Sequence, residues 1–124
     1  WLVDGALGGL EGWGALGIVA LVSAFTVVVH LPLPIGPVIN SVLIPPLAIL
    51  ALSTGQNPAL YALPVAFTAS CAFLLPLDAV PLVTYTKGYY RMLDMAVPGA
   101  LLSVCWVVLI TLLMVWVGPL VGLL

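Results

Sequence analysis

Charge is what this sequence has least of. Two basic and four acidic residues make it 5% charged, where soluble proteins carry roughly 25%. Six charges cannot cover the water-facing surface of a compact chain of this length, which argues against a soluble domain. The 65% hydrophobic content argues equally against intrinsic disorder. With only Lys87 and Arg91 as basic residues there is no stripe on which a nucleic acid could lie. The cysteines, Cys71 and Cys105, form no CxxC or CxxH spacing, so a zinc site has no support and both read as small apolar residues. No Gly-x-Ser-x-Gly, His-Glu-x-x-His or aspartate pair is present, which removes the common intramembrane and hydrolytic enzyme signatures. An all-α integral membrane protein remains, with no cofactor called for.

What is abundant is apolar sequence broken by proline and glycine. Gly14 to Leu33 is free of formal charge and long enough to reach across about 30 Å at about 1.5 Å per residue. It runs into Pro32-Leu33-Pro34-Ile35-Gly36-Pro37, which no helix passes through intact. Val38 to Leu52 is apolar again but short, the length of a re-entrant arm, and Pro45-Pro46 predicts a kink within it. Ser53 to Pro58 is a polar turn. A third apolar stretch, Ala59 to Leu77, leads into Pro76-Leu77-Asp78-Ala79-Val80-Pro81, where two prolines bracket a carboxylate. The final stretch, Met95 to Leu124, reads as one span with Pro98 in its first turn. The expected units are therefore a hairpin-like helix pair over 14–53 broken at 32–37, a broken helix over 59–86 with its break at 76–81, and a last transmembrane helix over 95–124.

Both basic residues lie between the third and last stretches, which puts that loop on the cytoplasmic side and the 53–58 turn on the other. Trp13, Trp106, Trp116, Tyr89 and Tyr90 read as interfacial anchors. Freed backbone groups at bilayer depth cost several kcal/mol each unless protein or water satisfies them, so broken helices persist where they line a cavity. Short Pro/Gly-interrupted segments are accordingly the best sequence pointer to a secondary transporter's binding site. The two breaks are expected to meet near the middle of the membrane.

The run Ser70-Cys71-Ala72-Phe73-Leu74-Leu75-Pro76, with Gly88-Tyr89, Asp94-Met95 and Gly99 downstream and Leu43-Ile44-Pro45 upstream, resembles the C-terminal signature of the divalent anion:sodium symporter family, the dicarboxylate and sulfate transporters. The resemblance extends over residues 16 to 117. It implies a much longer, homodimeric transporter built from two inverted repeats, of which this chain is the end of the second: a re-entrant helical hairpin, a broken transmembrane helix and the C-terminal helix. Two family motifs are replaced. The Ser-Asn-Thr of the hairpin tip corresponds by spacing to Ile35-Gly36-Pro37, and the Thr-Pro-Pro-Asn of the unwound helix to Ala79-Val80-Pro81-Leu82. Those motifs hold the sodium ion and the substrate carboxylate in typical members.

The candidate site residues are His30, Gly36, Pro37, Asn40, Ser41, Asp78, Ala79, Pro81 and Thr84. Asp78 is the acid expected well inside a membrane segment, either an ion-coupling or proton-binding carboxylate or a cap for the half-helix that follows it. His30 is read as a proton- or anion-binding group, or as a hydrogen-bonded structural residue. Asn40 and Ser41 offer oxygens to sodium, or bond between helices. Thr84 is a weaker candidate, with back-bonding to its own helix as the alternative. At Gly36 and Pro37 the contribution is geometric: close backbone approach and freed carbonyls. Ala79 and Pro81 enter through the family motif they replace. The functional expectation is a secondary active transporter of a small anion, di- or tricarboxylate or sulfate-like, coupled to sodium or protons, in the cell (inner or plasma) membrane as a multi-pass protein. The alternative is a non-catalytic membrane anchor or subunit of a larger complex. Expected partners are the lipid bilayer, the anion, the remaining helices of the transporter and a second copy; nucleic acid is not one.

Overall fold

The computed structural model describes residues 14–71, 74–75 and 79–123. Among them all regular structure is helical. There are five α-helices: α1 (Ala15–Val29), α2 (Gly36–Ser53), α3 (Pro58–Thr68), α4 (Ala79–Tyr85) and α5 (Ala96–Val117), with 3₁₀ turns at Met92–Asp94 and Pro119–Val121.

The first interruption follows from proline chemistry. Neither Pro32 nor Pro34 offers an N–H, and the chain passes through extended backbone at Ile35 (φ −133°, ψ 104°) before α2 starts with Pro37 in its first turn. The other end of α2 closes differently. Gly55 takes φ +70°, the N–H of Gln56 reaches the Ala51 carbonyl at 2.8 Å and that of Gly55 reaches Leu52 at 3.2 Å. This is a Schellman cap, which satisfies the last carbonyls of the helix and turns the chain sharply. Asn57 then caps α3, its Oδ1 accepting from the Ala59 N–H at 3.0 Å with Pro58 in the first turn.

That pair of caps makes α2 and α3 an antiparallel hairpin, and they pack closely along their length. The packing stripe of α2 is Ile39, Leu43, Leu47 and Ala51, one residue per turn. This shifts the expected hairpin. Within 14–53, α1 and α2 follow one another but barely touch: the link turns at residues 30–32 and then passes through extended backbone at Ile35. α1 packs instead against α3 and α5. α3 is thus the central element, with Leu60, Tyr61, Val65 and Thr68 buried. α2 remains helical through Pro45 and Pro46.

α3 stops at Thr68 and α4 begins at Ala79; residues 76–78 of the expected 76–81 break lie outside the described residues. Nothing in Ala69-Ser70-Cys71 disfavours helix, so the stop is tertiary in origin: the Ala69 carbonyl faces the start of α2.

Two helical segments are long and apolar enough to cross a membrane: Gly36–Ser53, with mean hydropathy 1.7, and Met92–Val117, with 2.6. The latter is only 22% buried over its most apolar window, so it is no soluble core helix. Leu101, Leu102, Val104, Val108, Leu109, Leu112 and Trp116 all stand exposed along α5. An apolar helix with apolar residues turned outward on most sides requires an apolar surrounding. The protein is an all-α membrane protein.

Candidate functional site

The end of α3 meets the start of α2, while residues 76–78 of the expected second break lie outside the described residues. A Cβ placed on Gly36 would lie 2.8 Å from the Ala69 carbonyl oxygen and 3.7 Å from Ser70 Oγ. Glycine is therefore required at the start of α2, since any side chain would push into the backbone that ends α3. The beginning of the second interruption, residues 69–71, lies directly against the end of the first.

This meeting point has a definite level along α5. Trp106 stands at the middle of that 22-residue helix, and its indole N–H donates a long hydrogen bond of 3.4 Å to Thr68 Oγ1, at the last helical position of α3. At about 1.5 Å per residue α5 is roughly 33 Å long, so the interruptions sit about halfway along it. The far ends of α1, α3 and α5 gather elsewhere. Asn57 Nδ2 reaches the Gly122 carbonyl at 3.5 Å, and an open depression of about 520 Å³ there is lined by Gly14, Gln56, Asn57, Leu60 and Gly122.

His30 caps the C-terminal end of α1, its N–H bonded to the Thr26 carbonyl at 3.0 Å. Its side chain is 6% exposed, and neither Nδ1 nor Nε2 has a hydrogen-bond partner. Asn40 Oδ1, one turn into α2, is also buried without a partner. Buried polar atoms are nearly always paired, and leaving one unpaired costs about 1–3 kcal/mol. Among the described residues, unpaired buried atoms thus occur on both sides of the first interruption.

The other candidates divide. Gly36 is buried at the meeting point and Pro37 is exposed beside it. Ser41 Oγ donates back to the Pro37 carbonyl at 2.8 Å, so its proton is committed within its own helix. Thr84 Oγ1 lies 3.0 Å from Tyr90 OH, and α4 makes no substantial contact with the other helices. Thr84, on the last turn of α4, stands beside the Tyr85–Tyr90 ring pair and the Arg91 N–H bond to Asp94 Oδ2. Asp78 lies outside the described residues. Ala79 and Pro81 fall in the first turn of α4, where only the backbone is described. Among the described residues no group of three His, Cys, Asp or Glu side chains is placed to hold a metal ion.

Sequence reasoning missed four participants. Ser23 and Tyr61 are both fully buried, and Ser23 Oγ and Tyr61 OH have no partner. The signal for Ser23 was present: Ser23, Thr26 and His30 recur at helical spacing on one face of α1. The Ala69 carbonyl and the Thr68–Trp106 bond had no sequence signal, since they depend on which helices pack together.

Comparison with known proteins agrees with this architecture. The family model described as the sodium:sulfate symporter transmembrane region matches residues 1–124. A curated relative, the sodium-dependent low-affinity dicarboxylate transporter 1 of Caenorhabditis elegans, is 40% identical over 83 residues, 65% of this chain. The match covers 14% of that relative's length. No solved structure matches significantly. These families are symporters and not enzymes. With a family match from one end of the sequence to the other, and the broken, meeting helices to go with it, the chain belongs to the divalent anion:sodium symporter family.

Proposed function

We propose that this chain forms part of the anion and coupling-ion site of a multi-pass secondary active transporter in the cell membrane, moving a small dianion together with sodium. The observation that carries this reading is the contact between the two helix interruptions at Gly36 and Ala69, with buried unpaired polar atoms on His30 and Asn40 nearby in the chain. With α5 as a full span, its midpoint lies at the bilayer centre, and Trp106 brings the interruptions to that depth. Helix interruptions at that depth, lining a cavity, are what inverted-repeat transporters use to bind ions and substrates.

The residue roles follow from chemistry. The N-terminus of α2 has no side-chain cap; the N–H groups of Val38 and Ile39 bond to the Ile35 carbonyl and Pro37 has none, so the helix would attract an anion through its dipole and the Gly36 N–H. Asn40 Oδ1 and backbone carbonyls at the interruptions suit a sodium ion, a hard cation that prefers oxygen. Asp78, by its place in the sequence between Pro76 and Pro81, is the carboxylate that couples a cation, and Ala79 and Pro81 start the half-helix behind it. Dicarboxylate-like and sulfate-like anions both fit; the curated relative's name favours dicarboxylates. The re-entrant hairpin, the inverted repeat and the homodimer belong to the same reading. The alternative of a non-transporting subunit has one observation in its favour: Ile35-Gly36-Pro37 and Ala79-Val80-Pro81-Leu82 offer almost no polar side chain.

The test is uptake of labelled succinate and sulfate by the full natural polypeptide in proteoliposomes, with and without an inward sodium gradient. Sodium-stimulated uptake is expected, and Asp78→Asn should lower its sodium dependence at least tenfold while leaving the melting temperature nearly unchanged, since an amide caps a helix almost as well as a carboxylate. Absence of uptake of any small dianion would favour the subunit reading.

A further inference from the structure

We propose that His30 binds a proton and an oxyanion together, so that anion affinity at this site rises as pH falls. The inference rests on the reading of the interruptions as an anion site, and adds a proton to it.

Gln56 Oε1 is unpaired at the far end, but the other unpaired buried atoms lie on α1, α2, α3 and the link after α1. Ser23 and His30 lie on one face of α1 with Thr26, whose hydroxyl donates to the Val22 carbonyl at 2.8 Å. Tyr61, also unpaired, is on α3, which packs against α1. α1 and α3 both run toward the meeting point: α1 ends at Val29 beside the first interruption, and α3 ends at Thr68 where the second begins. Counted back from those ends, Ser23 and Tyr61 stand at similar depth. Two unpaired hydroxyls, on Ser23 and Tyr61, thus stand about two helical turns back from an imidazole whose two nitrogens have no partner among the described residues. Buried hydroxyls and imidazoles without protein partners are satisfied by water, and chains of them in membranes carry protons.

Charge balance supplies the second half of the argument. Around His30, helices α1, α2, α3 and α5 carry no Asp, Glu, Lys or Arg. The other titratable groups on those helices are Tyr61, buried on α3, and Cys105, exposed on α5; Cys71 follows α3, and Asp78 lies farther along, outside the described residues. An imidazolium finds no carboxylate on those four helices to pair with, so an accompanying anion is its natural partner there. A carboxylate, carboxylate pair or sulfate supplies that charge and accepts from the ring N–H groups. Linkage makes the effect reciprocal: the anion draws in the proton as much as the proton draws in the anion. No atom of His30 forms a covalent bond; one proton passes from water to a ring nitrogen on anion binding and returns on release.

The test is equilibrium proton uptake in weakly buffered detergent solution near pH 7, on the full natural polypeptide. Sulfate and a short alkane disulfonate are the probes, because both stay fully ionised there, with chloride as control. Binding of either dianion should take up close to one proton per site, chloride none, and the dissociation constant should tighten about tenfold between pH 8 and pH 6. His30→Gln keeps an amide donor and acceptor but cannot titrate; its proton uptake and pH slope should vanish. Dianion binding by the wild type without proton uptake overturns the inference, as does a pH slope unchanged in His30→Gln. If His30→Gln fails to fold, the wild-type measurement decides alone. No gradient enters the measurement, so a failure of transport in proteoliposomes leaves this outcome separately readable.

Discussion

α3 and α5 are both strongly apolar in sequence, yet they do opposite things. α3 is short and enclosed: Leu60, Tyr61, Pro64, Val65 and Thr68 are buried, and three helices pack around it. α5 is long and turned outward, with apolar side chains exposed along most of its length. Composition alone does not separate a helix that protein surrounds from one that lipid surrounds. Length and polarity do. The polar atoms of the bundle that lack partners occur on α1, α2, α3 and the links between them, whereas the buried hydroxyls of α5, Ser103 and Thr111, are each bonded back to their own helix at 2.8 and 2.6 Å. A lipid-facing span must satisfy itself. A helix at a binding site is free to leave work for a ligand.

That contrast breaks down if truncation costs the same in both regions. The largest effect is expected at Tyr61→Ala, about 3–5 kcal/mol, the range for a buried aromatic cut to alanine. It should appear as a marked drop in the melting temperature of the detergent-solubilised protein. Gly36→Val comes next, at about 1–3 kcal/mol for forcing atoms into a filled space, and should also abolish anion binding by separating the interruptions. Normal binding by that variant would show that the contact is incidental. Trp106→Phe loses one long hydrogen bond and should cost near 0.6 kcal/mol, the average for such bonds in membranes. Leu109→Ala, on the outward side of α5, should stay within about 0.5 kcal/mol in detergent. A larger loss there would mean that α5 packs against protein in the complete molecule.

Much of this was legible in the sequence, for identifiable reasons. Scarce charge and long apolar runs specify a helical membrane protein. The prolines between Pro32 and Pro37 act locally, and the helices beside them end at Val29 and start at Gly36. The C-terminal motif carried the family. The end of α3 was harder, because it stops at Thr68, against the backbone of α2, without any local breaker. The pairing of α2 with α3 was encoded in Gly55 and Asn57, ordinary turn residues whose consequence depends on the proline-rich link on the other side. Of the candidate site, His30, Gly36 and Asn40 could be named from neighbours in the chain. Tyr61 could not, since a tyrosine on an apolar helix only becomes notable when its hydroxyl is found without a partner.

The capped turn at Gly55 also sets an order of assembly. Contacts between α2 and α3 nearest the turn, around Ala51 and Leu60, close the shortest loops and carry the smallest entropic cost. The hairpin therefore zips from the turn outward, and the junction of Gly36 with Ala69, the most distant in sequence, closes last. What closes last on a zipper opens first. Amide hydrogen exchange should be slowest at the Ala51 end and fastest beside Gly36, and the reverse order would contradict this picture.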